Sequence, residues 1–259
     1  MRNGAKTVIQ ILKIFNVLSF TAAGGYLAFA FARDISQGLQ NTVSYTDYIL
    51  SLLQCALGVY AVFIPTVLKR KLDFSFPDTM YLLYLIFLYC AIFLGEVQSY
   101  YINVPLWDDI LHGFSGVMAA FFAFMLATVM TRRNNVTKKL SPIFLTIFAF
   151  VFSLSVGTLW EIYEFSLDTA LDLNMQKYRL NDGTQLIGKS ALFDTMKDII
   201  TDSLGAFVAA LFGYFSLKRK KGWIYCYTEN RNRYSENTGN DNEQDTVKAF
   251  GKKENTNKV

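Results

Sequence analysis

Residues 142–167 read PIFLTIFAFVFSLSVGTLWEIYEFSL, and from Pro142 to Trp160 no charged residue interrupts the run. A helix needs about 20 mostly apolar residues to cross the hydrocarbon core of a bilayer. Water is absent there, so backbone groups must bond within the segment, which makes a run of this length a helix. Five more stretches meet the same test: 8–31, 48–68, 80–97, 109–131 and 194–217. The expected fold is all-α, a polytopic bundle of about six transmembrane helices.

Composition agrees. Of 259 residues, 52% are hydrophobic and 18% charged, against about a quarter charged in soluble domains. Cys55 and Cys90 lie in apolar runs and Cys226 in a basic stretch, so no disulfide framework is implied. A single histidine argues against zinc hydrolase sites, which use two or three. Nothing calls for a nucleic-acid partner. Arg2, Lys6 and the Ala28-Phe29-Ala30 triplet imitate a signal peptide around the first stretch. Its apolar run outlasts the usual core of about 7–15 residues, so a retained helix is expected.

Basic residues set the expected orientation. Arg2, Lys6, Lys69, Arg70, Lys71, Arg132, Arg133, Lys138, Lys139, Lys218, Arg219, Lys220 and Lys221 fall on one side of the bundle, thirteen in all. Arg33, Lys177, Arg179 and Lys189, four in all, fall on the other. The positive-inside rule then places both termini in the cytoplasm. Residues 1–221 are expected to form one transmembrane domain. Residues 222–259, polar and rich in asparagine, are expected to be a disordered cytoplasmic tail. The loop 169–193 is the longest outward segment and is read either as a lid or as a plain connector.

Charge inside the spans carries the functional information. Asp108 and Asp109 precede His112 by four and three residues, so both can share its helix face. Glu161, Glu164 and Asp168 form a stripe at the end of the fifth span, and Asp194, Asp198 and Asp202 another at the start of the sixth. Parity of crossings puts all three stripes, with Glu96 from the third span, in one leaflet, and the basic count makes it the outer one. Asp202 lies eight residues past Asp194, about 12 Å deeper at 1.5 Å per residue. A charge at the bilayer centre costs about 2.5–3.5 kcal/mol on insertion scales, so convergent carboxylates need water, protons, Lys197 or a bound cation. Asp108, Asp168 and Asp194 have a simpler reading as headgroup-level acids, the first and last also as helix caps.

An oxygen-rich set with one nitrogen suits a divalent cation of the Mg or Mn class. The expected roles are His112 and Asp109 in catalysis, and Glu161, Glu164, Asp198 and Asp202 as metal ligands. Asp108, Asp168, Asp194 and Glu96 are secondary. Gly113-Phe114-Ser115-Gly116 has the GxSG form of intramembrane serine proteases, but the base such a serine needs on another helix is missing.

Asp109-x-x-His112, Trp160-Glu161-Ile162-Tyr163-Glu164 and Asp194-x-x-x-Asp198-x-x-x-Asp202-x-x-Gly205-Ala206 resemble, in order, the motifs of the uncharacterised bacterial YjdF-like inner-membrane proteins. More distantly, the pattern is similar to VanZ-like proteins. Here Glu164 stands where those carry Gln, and Asp202 where they carry Asn. The resemblance implies a bacterial cell-envelope protein, multi-pass in the cytoplasmic membrane. The expected function is a cation-dependent site acting on an envelope lipid or lipid-linked substrate, with membrane lipid as its partner. A cation- or proton-coupled transporter and a non-catalytic assembly or envelope-resistance factor are the alternatives, and whether the chain is an enzyme stays open.

Overall fold

The computed structural model describes residues 2–37, 45–72, 76–133, 140–180, 182–222 and 224–225. The expected tail from residue 226 onward, with Cys226, and Asn181 of the loop between the fifth and sixth spans lie outside them. The long helices are α1 (Arg2–Ser36), α2 (Tyr45–Leu72), α3 (Asp78–Leu88), α5 (Trp107–Arg133), α6 (Pro142–Leu171) and α7 (Phe193–Lys218), with a single turn α4 (Tyr100–Asn103) between α3 and α5. Six helices are long and apolar enough to cross a membrane. The described residues hold no strand, only an isolated antiparallel bridge between Arg179 and Gln185.

α1, α2, α5 and α7 overrun at both ends the apolar stretches that announce them, and α6 does so at its C-terminal end. Polar turns there keep making backbone hydrogen bonds once the chain has left the apolar region. α6 starts where Ser141 Oγ accepts the Phe144 N–H at 3.1 Å, with Pro142 in the first turn. It ends at Asp172, whose φ of 54° closes the helix in the left-handed region. α3 does not continue as a plain α-helix. It widens into a π-helical segment over Tyr89–Val97, and the ring of Tyr101 then occupies the space where Gly95 lacks a side chain. In α2, Pro65 has no N–H for the carbonyl of Ala61. The hydroxyl of Tyr84 on α3 donates to that oxygen at 2.9 Å.

The spans gather into two groups. Phe20, Val62, Leu85 and Leu88 form a buried cluster among α1, α2 and α3. α5, α6 and α7 form the second group, with Ala120, Ala206 and Ala209 at its centre. The groups meet where Met80 packs on Met125 and where the rings of Phe87 and Phe114 stack at 6.0 Å. Water does not drive association within lipid, so close packing of small residues holds such helices together. A side chain on Gly116 would strike the backbone of Asp202, and one on Gly205 the backbone of Gly113. α5 and α7 therefore touch main chain to main chain. Ser153 Oγ of α6 ties in by donating to the Gly116 carbonyl at 2.8 Å.

Polarity in this second group is arranged inside out. The buried stripe of α6 runs Leu145, Ala149, Ser153, Gly157, Glu161, Glu164, Asp168, while that of α7 runs Asp194, Asp198, Asp202, Ala206, Ala209, Ala210, Gly213. Leu159, Ile162 and Phe165 point outward from α6, as do Ile200 and Leu204 from α7. Apolar faces turned out and acids turned in are what lipid, not water, requires of a helix bundle.

Candidate functional site

α5, α6 and α7 deliver their acidic ends to one end of the second group. His112, one turn inside α5, is buried there. Its Nδ1 lies 3.2 Å from Asp202 Oδ2 on α7, and Ser115 Oγ lies 2.7 Å from the other Asp202 oxygen. The room for Asp202 comes from Gly157, since a side chain there would meet its carboxylate. With Nδ1 against Asp202, the ring turns Nε2 to its other side. Nε2 faces Asp108 Oδ1 at 3.6 Å. One donor atom each from Asp108, His112 and Asp198 lies within 4.8 Å of the others. A carboxylate behind a histidine that presents its second nitrogen to a pocket is the arrangement that orients metal-binding histidines.

The remaining acids line the same space in distinct states. Asp198 is 1% exposed, and its Oδ1 has no hydrogen-bond partner among the described residues. Glu161 is 4% exposed and both of its oxygens lack one. Glu164 accepts from Trp160 Nε1 at 2.9 Å, one helical turn back. Asp194 gives one oxygen to Lys177 at 3.1 Å, and its other oxygen has no partner among the described residues. Buried polar atoms are ordinarily satisfied, so four orphaned carboxylate oxygens in one pocket form an unusual concentration. Glu96 stands at the edge. Tyr101 lies within electrostatic reach of Glu96, Asp108 and Glu164 together, and burial pushes its phenol well above the usual range.

The structure separates two neighbours that spacing alone treats alike. Asp108 faces His112, whereas Asp109 turns to Lys197 of α7 at 2.8 Å. Asp108, His112 and Asp198 thus come together. Asp202 stands behind the histidine, Glu161 and Glu164 form the α6 wall, and Asp109 forms a separate ion pair. Asp168 and Asp194 are both buried within the protein. Asp194 does not cap α7, whose N-cap position is held by Leu192 without a side-chain bond.

Residues that the sequence left unremarked complete the site. The loop after α6 folds back over the acids rather than simply connecting two helices. Asp168 accepts the backbone N–H groups of Met175 and Gln176 at 2.8 and 2.9 Å. The Gln176 amide donates to Thr195 Oγ1 at 2.9 Å. Lys177 reaches both Asp108 and Asp194. Burial disfavours its charge, but the two carboxylates outweigh that and hold its pKa above the ordinary lysine value of 10.5. No periodicity marks a loop lysine as a partner of helix carboxylates. Ser115 entered the sequence reading only as the serine of the GxSG tetrad.

These features define a polytopic membrane protein with an acid-histidine pocket shared by three helices and strapped by a loop. Residues 21–219 match the family DUF2238, described as a predicted membrane protein, and the chain belongs to that family. An uncharacterized protein of Thermotoga maritima is 29% identical over 133 residues, 51% of this chain and 58% of the relative. The match thus spans little more than half of that protein's length. No solved structure matches the chain. The expectation of a multi-pass membrane family is met, and the helices that carry the pocket, α5 to α7, fall within the matched residues.

Proposed function

We propose that the pocket binds a divalent cation through Asp108, His112 and Asp198, and that the bound cation holds the phosphate of an envelope lipid or lipid-linked substrate. One observation carries this reading: three donor atoms from two helices lie within 4.8 Å of one another beside buried carboxylate oxygens that have no partner among the described residues. One nitrogen among several oxygens suits Mg, Mn or Fe(II) better than Cu or structural Zn. A cation there would supply Lewis acidity toward a phosphoryl oxygen. The chain's own groups would do the rest. Asp202 fixes the His112 tautomer, Ser115 fixes Asp202, and Glu161 offers an acceptor for a proton from water or substrate.

A lipidic substrate is favoured because the pocket sits within helices whose outer faces are apolar, so a headgroup reaches the acids without its chains leaving lipid. Cytoplasmic termini and an outward-facing pocket, expected from the basic-residue count, and the bacterial cytoplasmic membrane, implied by the family resemblance, belong to the same proposal. So do a single membrane domain over 1–221 and a cytoplasmic tail. Transport is the weaker reading. Beyond Asp202 the three helices close on Ala120, Ala206 and Ala209, each at most 1% exposed, with Phe124 filling the gap at Gly213. A path for ions needs polar groups there.

Elemental analysis of purified protein, with thermal-shift titrations of Mg and Mn, tests the reading. Bound metal and stabilisation are expected in the wild type, with both lost in Asp198→Asn and His112→Ala. Protein free of metal that neither ion stabilises would remove it. Ion flux in proteoliposomes that vanishes in Asp198→Asn would put transport first.

A further inference from the structure

Lys177 is the only strap group bonded to the carboxylates that would hold a cation. The strap, residues 172–180, has three main ties across the helix ends, besides a 3.4 Å bond from the Gln176 amide to the Glu161 backbone carbonyl of α6. Asp168 of α6 takes two backbone N–H groups, and Gln176 bonds Thr195 of α7. Lys177 takes Asp108 of α5 and Asp194 of α7. The first two ties use groups outside the donor set. The third uses Asp108, which is one of its three members. Asp108 thus turns one oxygen toward His112 and the other toward the ammonium.

Two more observations bear on Lys177. Its φ is 48°, in the left-handed region. Asparagine, aspartate and glycine enter that region readily and lysine does not, so something must hold the backbone there. Strain of this kind persists only where surrounding contacts impose it, and the observed outlier points to a functional constraint. The side chain is also 38% exposed, so it has space to withdraw.

We infer that Lys177 is a tethered counter-cation that occupies part of the pocket, and that a divalent ion binding at Asp108 releases it and loosens the strap. The inference rests on the cation reading above. The physical reason is charge. A dication on one oxygen of Asp108 and an ammonium on the other stand a few ångströms apart, where like charges repel strongly away from bulk water. Asp108 cannot neutralise both. The ion has Asp198 and His112 as further ligands, whereas Lys177 keeps only Asp194 and a backbone conformation it adopts reluctantly. The strap then acts as a latch. It is closed while the pocket is empty and open when a cation is seated and a phosphate needs entry.

The test uses the full chain in nanodiscs. Mn binding is titrated by the electron paramagnetic resonance signal of the free ion. Backbone hydrogen exchange of the peptide covering the strap is followed by mass spectrometry with and without saturating Mn. In the wild type, Mn is expected to speed strap exchange about two- to fivefold, the loss of one partly exposed ion-pair tie. Lys177→Met is expected to exchange at the faster rate without metal and to bind Mn about two- to fivefold more tightly, because its competitor is gone. Lys177→Arg, which keeps the charge, should follow the wild type. Mn that binds the wild type while strap exchange stays constant or slows would overturn the latch and leave the cation reading standing. Equal Mn affinity in wild type and Lys177→Met would do the same. Failure of Mn to bind either protein would overturn both. Should Lys177→Met not fold, the wild-type exchange comparison alone decides.

Discussion

Replacing Gly205 with alanine adds one methyl group at the point where α5 and α7 meet main chain to main chain. That methyl would lie against the Gly113 carbonyl and 3.3 Å from the amide nitrogen of Val117. Both are backbone atoms, so no side chain can rotate away and the helices must separate. Overpacking costs about 1–3 kcal/mol, with rigid backbone at the upper end. Alanine returns about 1 kcal/mol through its better helix propensity. The net expectation is a loss of about 2 kcal/mol. Gly116→Ala, which meets the backbone of Asp202, should lose about as much. Gly25, with nothing within 4 Å of an added Cβ, supplies the control, and Gly25→Ala should be neutral or slightly stabilised. Because one separation of α5 from α7 relieves both contacts, the double variant should lose clearly less than the two single losses together. Reversible unfolding in mixed micelles, followed by tryptophan fluorescence, measures all four. The same separation must lengthen the 3.2 Å contact between His112 and Asp202, so Mn binding should weaken in step with stability. Gly205→Ala as stable as Gly25→Ala would refute the reasoning, because it would mean that the backbones do not touch.

Asp168→Asn keeps the shape of the side chain that holds the strap, but its one amide oxygen can accept from only one of the two backbone N–H groups, and its NH2 meets the other. One bond loses its charge and one buried donor loses its partner, at a cost of about 1–3 kcal/mol, so exchange of the Met175 and Gln176 amides should rise about tenfold or more. The Lys177 pKa is raised in the folded chain, so the stability it lends is complete below its ordinary value of 10.5 and is lost as pH climbs past that value. Strap exchange, corrected for its intrinsic pH dependence, should therefore stay flat from pH 7 to about 10. A loss of protection near neutrality would contradict the ion pairs with Asp108 and Asp194. Tyr84→Phe should cost about 1–2 kcal/mol by orphaning the Ala61 carbonyl that Pro65 leaves open. In a Pro65→Ala background, where the helix supplies its own N–H, the same change should cost little.

The fold was legible because a membrane span is written in composition, and composition does not depend on what the helix packs against. The stretch 142–167 announces α6 by length alone, and the structure extends it only to Leu171. The leaflet shared by the acids was legible for a similar reason, since crossing parity is arithmetic. Finer geometry was not. Asp108 and Asp109 both lie within a turn of His112, and what separates them is that Asp109 lies on the side of α5 that meets Lys197 of α7. Which side of α5 meets α7 is set by Gly116 of α5 and Gly205 of α7, where the two backbones touch. The GxSG tetrad is accordingly a packing surface with one polar residue inside it. Ser115 bonds Asp202, and the two glycines admit α7 and its neighbours.

Lys177 was harder still to foresee, because its role depends on a loop closing across three helix ends. By sequence it is one of four basic residues on the sparsely charged side, yet its ammonium ends among carboxylates rather than in solvent. Its placement alters how the acids must be understood. Buried carboxylates in a membrane bundle need a counter-charge if they are to remain ionised. Here Lys197 serves Asp109, and Lys177 serves Asp108 and Asp194. Asp198 Oδ1 and both Glu161 oxygens have no hydrogen-bond partner among the described residues. The hydrogen bonding of the acids is therefore incomplete beside His112, where Asp108, His112 and Asp198 converge. That deficit, not the number of acids, is what motivates the proposal of a cation.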